Sequence, residues 1–147
     1  MTHQEKIDHL LEFYTSLPDN LTVGGSLDLE GTAIAALPDN LTIGGSLYLR
    51  GTAITALPDN LTIGGSLYLR DTAITGSVHD CGERKRTICA YNHPTKGRVV
   101  SLGCFVGTEN ECIEAINNKY SGKAAADYIA KVKQAFAYKA ELKKIHL

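Results

Sequence analysis

The sequence predicts an α+β protein: a short β-solenoid with an N-terminal helical cap and a C-terminal ββαα module. The stretch LPDNLTIGGSLYLR occurs at 37–50 and again at 57–70, and the close copy LPDNLTVGGSLDLE lies at 17–30. Self-similarity at a short fixed period is the signature of stacked repeats. Residues 2–5 and 108–111 have the spacing of capping boxes, and each is followed by apolar residues that share one helical face, which is typical of helices. The hydrophobic share of 44% is that of a folded chain.

Residues 1–16 are predicted to form the N-terminal capping helix. Thr2 and Glu5 have the spacing of a capping box, and Pro18 cannot continue a helix. The apolar residues between them share one helical face: Ile7, Leu10, Leu11 and Tyr14. We expect this helix to cover the apolar end of the stack.

Residues 17–76 predict three coils of 20 residues, at 17–36, 37–56 and 57–76. Their common frame is L-P-D-N-L-T-[VI]-G-G-S-L-x-L-x-x-T-A-I-x-x. On each short strand the leucines of the L-x-L segment are predicted to point inward and the residues between and after them outward. Gly44-Gly45 is expected at a corner, where a positive φ or a close backbone approach is needed.

A second interpretation of the same letters is a series of hairpins. Two β-like runs flank Gly-Gly in LTI-GG-SLYL, which also matches a hairpin signal. Stacked coils are favoured because every apolar position recurs in register, as stacking requires.

The unit LPDNLTIGGSLYLRGTAITA resembles the short LPX-type leucine-rich repeats of bacterial effector proteins and of phage- or prophage-encoded proteins. The resemblance covers residues 17–76 and implies a leucine-rich-repeat β-solenoid that serves as a binding scaffold. Thr32, Thr52 and Thr72 stand where the family usually has Asn. Some members carry a ubiquitin-ligase domain with a Cys-x-Asp motif, which this sequence lacks, so that activity is not expected.

Residues 77–147 are predicted to form the ββαα module, docked on the last repeat as its C-terminal cap. SVHDCGERKR is interpreted as a polar connector, and RTICAYNH and RVVSLGCFVG as two strands joined by the turn at Pro94 to Gly97. The capping box of Thr108 and Glu111 predicts a helix to about Lys119. After a break at Ser121-Gly122, the last helix is expected to leave the body of the protein near Lys139 and Lys143.

The outward strand positions are the first candidate binding surface. They form two columns down the stack: Asp28, Tyr48 and Tyr68, and then Glu30, Arg50 and Arg70. Tyr and Arg are enriched in interface hot spots, so we expect a non-catalytic protein–protein interaction module that binds a partner through this face. The alternative is that tyrosine stacking and a Glu30–Arg50 ion pair only support the sheet.

The second half of the chain offers a nucleic-acid alternative. Residues 1–76 carry a net charge of −6 and residues 77–147 a net charge of +5. The most basic cluster comprises Arg84, Lys85, Arg86, Lys96 and Arg98. Such a cluster is able to contact phosphates, although an ordinary solvated connector has the same composition.

The cysteines raise a third option, a small thiol or zinc-dependent enzyme. Cys81, Cys89, Cys104 and Cys112 lack the Cys-x2-Cys spacing of a zinc site, so no metal or cofactor is predicted. Among them, Cys104 and Cys112 are predicted to be small buried side chains. If a metal binds, the candidate ligands are the four residues with polar sequence neighbours: His79, Cys81, Cys89 and His93.

The sequence also predicts where the protein works. No apolar run approaches the ~18–20 residues that span a bilayer, so no membrane partner is expected. The N-terminus lacks a signal-peptide core, and a reducing cytoplasmic location is the expectation. The oligomeric state is not predicted.

Overall fold

The computed structural model describes residues 17–145, and the side chains of residues 17–138. Within this range the protein is α+β, with eleven strands followed by two helices. The predicted N-terminal helix at 1–16 and the side chains of Lys139 and Lys143 lie outside what is described.

Each of the three repeats contributes two short strands. They are β1 (Thr22–Val23), β2 (Leu27–Asp28), β3 (Thr42–Ile43), β4 (Leu47–Tyr48), β5 (Thr62–Ile63) and β6 (Leu67–Tyr68). β1, β3 and β5 pair in parallel in one sheet, and β2, β4 and β6 in another, so that Thr22 faces Thr42 and Leu47 faces Leu67. The two strands of a repeat pair with neighbouring repeats and not with each other. The hairpin interpretation is therefore wrong.

The apolar side chains of both sheets share one core. Val23, Ile43 and Ile63 enter it from the first sheet, and Leu27, Leu47 and Leu67 from the second. Along the L-x-L segments the predicted alternation is confirmed: Leu47 and Leu49 are fully buried, whereas Arg50 is exposed.

A threonine bonds the turn after each L-x-L segment. Thr32, Thr52 and Thr72 each donate their hydroxyl to the carbonyl three residues earlier, at 2.7, 2.8 and 2.5 Å. A side-chain ladder also connects the repeats: Asn40 Nδ2 donates to Asn20 Oδ1, and Asn60 Nδ2 to Asn40 Oδ1, each at 2.8 Å. Because the donors recur every 20 residues, each repeat supports the next.

The C-terminal module has five strands where two were predicted. They are β7 (Val78–Cys81), β8 (Arg86–Ile88), β9 (Tyr91–His93), β10 (Gly97–Leu102) and β11 (Phe105–Gly107). The ββαα order is wrong because each predicted strand divides into two and the predicted connector forms β7. The four consecutive residues from Ile88 to Tyr91 are all buried, whereas side chains of a single strand would alternate between buried and exposed. The strand is interrupted there: β8 pairs with β7, and β9 pairs with β5. At Gly103, with φ +70°, it turns back into β11.

Two other features of the module agree with the sequence. The hairpin of β9 and β10 closes at the predicted turn, with Gly97 opposite His93. Helix α1 (Glu109–Lys119) begins with both bonds of the capping box of Thr108 and Glu111, and helix α2 (Gly122–Ile145) follows. Gly122 has a φ of +60°, which explains the break between the helices.

The module continues the repeats directly. β9 pairs in parallel with β5, so the first sheet runs in the order β1-β3-β5-β9-β10-β11. The hydroxyl of Tyr91 donates to the carbonyl of Gly65 at 2.7 Å, and Cys89, Tyr91 and Val99 lie in the core of the repeats. Neither described helix has the length and apolar character needed to cross a bilayer.

Candidate functional site

The outward face of β4 and β6 meets the hairpin of β7 and β8 in a groove of about 340 Å³. We call this feature the junction groove, and it combines residues from both halves of the chain. Its charged and aromatic lining comprises Glu30, Tyr48, Arg50, Tyr68, Arg70, Arg84 and Arg86. Leu67, Leu69, Thr87, Ser101 and Gly103 complete the lining. Five residues of the predicted strand face thus meet two residues of the predicted basic cluster, Arg84 and Arg86, in one groove.

Tyr48 and Tyr68 form the aromatic part of the groove. Their ring centroids are 4.8 Å apart with an interplanar angle of 7°, because the strands that carry them pair in parallel with the two tyrosines opposite each other. Each ring covers one face of the other, and both tyrosines line the groove. The Tyr68 hydroxyl lies 3.9 Å from Cys104 Sγ, and partial burial is the main cause that raises the pKa of Tyr68.

Arg50 and Arg70 stand exposed on the same face. Arg50 Nε lies 3.7 Å from Asp71 Oδ2, so Arg50 pairs with the next repeat and not with Glu30, the partner considered in the alternative interpretation. The side chains of Arg50 and Asp71 are 58% and 69% exposed, and an ion pair in that setting contributes little to stability. A partner's anion could replace Asp71 at small cost.

Arg84, in the turn after β7, and Arg86, at the start of β8, both line the groove. Lys85, between them, has a φ of +54°, a conformation that side chains seldom adopt. Arg84 is exposed, whereas Arg86 is half-buried against Gly103 and Tyr128.

Five of the six predicted strand-face residues line the junction groove. The exception is Asp28, at the far end of the stack, whose carboxylate accepts a hydrogen bond from the Glu30 amide at 3.0 Å. The sequence did not indicate that Arg84 and Arg86 meet this face. The unusual density of charge in GERKR was the available signal, but the β7–β8 hairpin that places it was interpreted as a connector.

The predicted basic cluster is not a single patch. Lys96 Nζ is engaged by Glu111 at 3.1 Å and by the Val106 carbonyl at 3.3 Å. Arg98 donates to Asn92 Oδ1 at 3.2 Å, and burial lowers its pKa. Arg98 lies five positions before Gly103, against which Arg86 packs, and an extended backbone of that length spans roughly 16 Å.

The four candidate metal ligands with polar sequence neighbours do not lie together. Cys81 and Cys89 lie in different cores, His79 bonds Thr87, and His93 bonds the amides of Thr95 and Lys96. Among the described residues, no group of three or more potential ligands lies close enough to hold a metal ion.

The thiols differ in exposure. Burial raises the pKa of both Cys81 and Cys112 to about 11, so these thiols stay protonated near neutral pH. The burial predicted for Cys112 is confirmed. Cys104 is exposed, contrary to prediction, because Gly103 and Cys104 form the turn between β10 and β11 instead of continuing the strand.

Comparisons with known proteins assign no function to this geometry. No family model, no curated protein and no solved structure matches the chain. The junction groove, which joins two stacked tyrosines to four arginines, is therefore the feature from which a function is inferred.

Proposed function

We propose that this protein is a non-catalytic interaction module that binds a partner protein in the junction groove and along the adjoining strand face. The observation that carries this proposal is the convergence of Tyr48, Tyr68 and four arginines on one groove. Tyr and Arg dominate the energetics of protein interfaces because they combine large contact area with strong hydrogen bonds.

The proposal includes the architecture that presents this face. We propose that residues 17–76 form a short leucine-rich-repeat solenoid, with 77–147 as its C-terminal cap. The 20-residue parallel register and the threonine bonds to the turns support it. The resemblance to bacterial and phage repeats extends the proposal to a modulator of a host protein in the cytoplasm.

The test begins with capture of a partner and its identification by mass spectrometry, followed by binding of the purified partner. Replacing Tyr48, Arg50, Tyr68 and Arg70 with alanine should weaken that binding by about a hundredfold or more, since hot-spot residues each contribute ~2 kcal/mol or more. Circular dichroism and the urea midpoint verify that the variant is folded.

A matched control changes the opposite sheet. Thr22→Ala with Thr42→Ala alters two exposed positions on β1 and β3, which do not line the groove. This variant should bind the purified partner as the unmodified protein does. Full binding by the folded four-alanine variant would place the interface elsewhere and refute the proposal.

The second candidate function is nucleic-acid binding, favoured by the arginines Arg84 and Arg86 in the groove. If it holds, the unmodified protein binds DNA or RNA with an affinity that falls as salt rises. Replacing Arg84, Lys85 and Arg86 with alanine should then abolish that binding. No binding by the unmodified protein would exclude this candidate.

A further inference from the structure

We infer that the occupant of the junction groove is an extended, acidic segment of the partner protein. This inference rests on the proposed function, because it specifies the chemistry of a partner that binds there. It is carried by the charge of the lining, the orientation of the tyrosines and the size of the groove.

The charge of the lining is strongly one-sided. The lining holds four arginines, Arg50, Arg70, Arg84 and Arg86, and one carboxylate, Glu30, while Asp71 pairs with Arg50 from outside the lining. A guanidinium offers planar paired donors that match a carboxylate, and such charge-assisted hydrogen bonds are about twice as strong as neutral ones. Clefts lined by one sign of charge also concentrate ligands of the opposite sign. A segment rich in Asp and Glu complements this lining.

The tyrosine pair favours a carboxylate ligand because it leaves few ring faces for bases. A single-stranded nucleic acid binds by stacking its bases on free aromatic faces. Tyr48 and Tyr68 each cover one face of the other ring, at 4.8 Å and nearly parallel, so no base fits between them. The tyrosine hydroxyls suit hydrogen bonds to carboxylates.

The distribution of positive charge supports the same choice. A nucleic-acid backbone needs cations spaced along a continuous track. Lys96 is engaged by Glu111, and Arg98 is engaged by Asn92. Of the predicted basic cluster, Arg84 and Arg86 line the groove and Lys85 lines the adjoining cleft with Arg70 and Arg84. This positive charge is local and matches a few acidic side chains.

The dimensions of the groove indicate an extended segment. A volume of about 340 Å³ is at the lower end of the ~300–1,000 Å³ of ligand pockets and too small for a folded element. The floor is the outer surface of parallel strands, along which Arg50 and Arg70 stand about 4.8 Å apart. In an extended chain every second side chain points to the same side, roughly 6.6 Å apart, so alternate carboxylates can contact the long side chains of this row.

The experiment uses the full chain and fluorescent peptides of about eight residues. One peptide alternates Glu with Ser, the second replaces each Glu with Gln, and the third replaces it with Lys. Fluorescence anisotropy should show binding of the acidic peptide that weakens as salt rises. The Gln and Lys peptides should bind at least roughly tenfold more weakly, since hydrogen bonds to charged groups contribute about that factor.

A pair of charge-matched variants locates the binding. Arg70→Gln with Arg84→Gln removes two exposed arginines of the groove, and Lys119→Gln with Lys133→Gln removes two exposed lysines outside it. The arginine variant should lower the affinity for the acidic peptide by roughly tenfold or more, and the lysine variant by about twofold or less. If both variants lose the same affinity for the acidic peptide, binding depends only on the net charge of the protein, and the inference is overturned.

Cys104 provides an independent measure of occupancy. It is exposed and lies 3.9 Å from the Tyr68 hydroxyl, whereas Cys81, Cys89 and Cys112 are buried. The acidic peptide should slow alkylation of Cys104 by iodoacetamide, and the Gln peptide should not. Alkylation at the same rate with and without a saturating amount of acidic peptide would place that peptide outside the groove and overturn the inference.

The remaining outcomes separate the inference from the proposed function. If a single-stranded oligonucleotide of equal charge binds more tightly than the acidic peptide, the ligand is a nucleic acid and the inference is overturned. Failure of the acidic peptide to bind, with an identified partner that still depends on Tyr48 and Arg50, would overturn the inference and leave the proposed function intact. Retention of the partner by the folded four-alanine variant would overturn both.

Discussion

Gly44 and Gly64 determine how closely neighbouring repeats approach. A Cβ placed on Gly44 would lie 2.4 Å from the carbonyl oxygen of Gly24, and one on Gly64 would lie 2.4 Å from that of Gly44. Each amide also bonds across the stack, Gly44 to the Val23 carbonyl and Gly64 to the Ile43 carbonyl, at 2.8 Å. The glycines are therefore needed for close approach between backbones, which is one of the two reasons that the sequence suggested.

Gly44→Ala should lower the free energy of unfolding by about 1–3 kcal/mol, because the new methyl group pushes two backbones apart in a closely packed stack. The measurement is urea denaturation followed by circular dichroism. Gly25→Ala is the matched control: a Cβ there meets no atom within 4 Å. The control should leave stability unchanged or slightly higher, since alanine restricts the unfolded chain. An equal loss in both variants would contradict the role given to Gly44.

At the scale of elements, the start of α1 connects a helix to the sheet. Glu111 accepts a hydrogen bond from the Thr108 amide at 3.0 Å and forms an ion pair with Lys96 at 3.1 Å. Lys96 belongs to the turn between β9 and β10. The bond from the Thr108 backbone, followed by that from Lys96, lowers the pKa of the Glu111 carboxyl. A single carboxylate thus both caps the helix and holds it against the hairpin.

Glu111→Gln should reduce stability at pH 7, because glutamine retains the cap but loses the charge that faces Lys96. A carboxyl with a lowered pKa in the folded state stabilises the protein above its ordinary pKa of 4.5, and this contribution is lost as the pH falls through the lower folded value. Urea midpoints of both proteins, measured from neutral to acidic pH, should therefore converge below that range. A difference that is independent of pH would contradict this account.

At the scale of the whole molecule, Ser101 ends the second sheet. Its hydroxyl accepts from the Leu67 amide and donates to the Leu67 carbonyl, each at 3.0 Å. β6 is the last strand of that sheet, so Ser101 takes the place of a further strand. Together with the pairing of β9 with β5, this contact makes the repeats and the module share hydrogen bonds in both sheets.

Ser101→Ala should lower the free energy of unfolding by about 2 kcal/mol or more, because it leaves a buried N–H and a buried carbonyl of Leu67 without partners. Hydrogen exchange should then show weaker protection in β3 and β4 as well as in β10, since the parts unfold together. Asn117→Ala, at an exposed position of α1, is the control and should change neither. Loss of protection confined to the module would contradict this coupling.

The sequence predicted those parts of the fold that depend on local or periodic signals. The 20-residue period determined the register, and the alternation of Leu47, Tyr48 and Leu49 determined which side chains enter the core. The capping box of Thr108 and Glu111 determined where α1 begins. These signals succeed because hydrophobic period and caps act over a few residues, whatever the rest of the chain does.

The candidate site required the tertiary structure. Arg84 and Arg86 follow the last repeat in sequence, but only the β7–β8 hairpin, with Lys85 at positive φ, turns them back onto the face of Tyr68 and Arg70. Lys96 belonged to the same predicted cluster, and its ion pair with Glu111 draws it elsewhere. Which charged side chains meet depends on strand pairing between residues far apart in sequence, and no local pattern encodes that pairing. The repeats thus specified their own stacking, whereas the groove exists only because the folded module closes over their last strand.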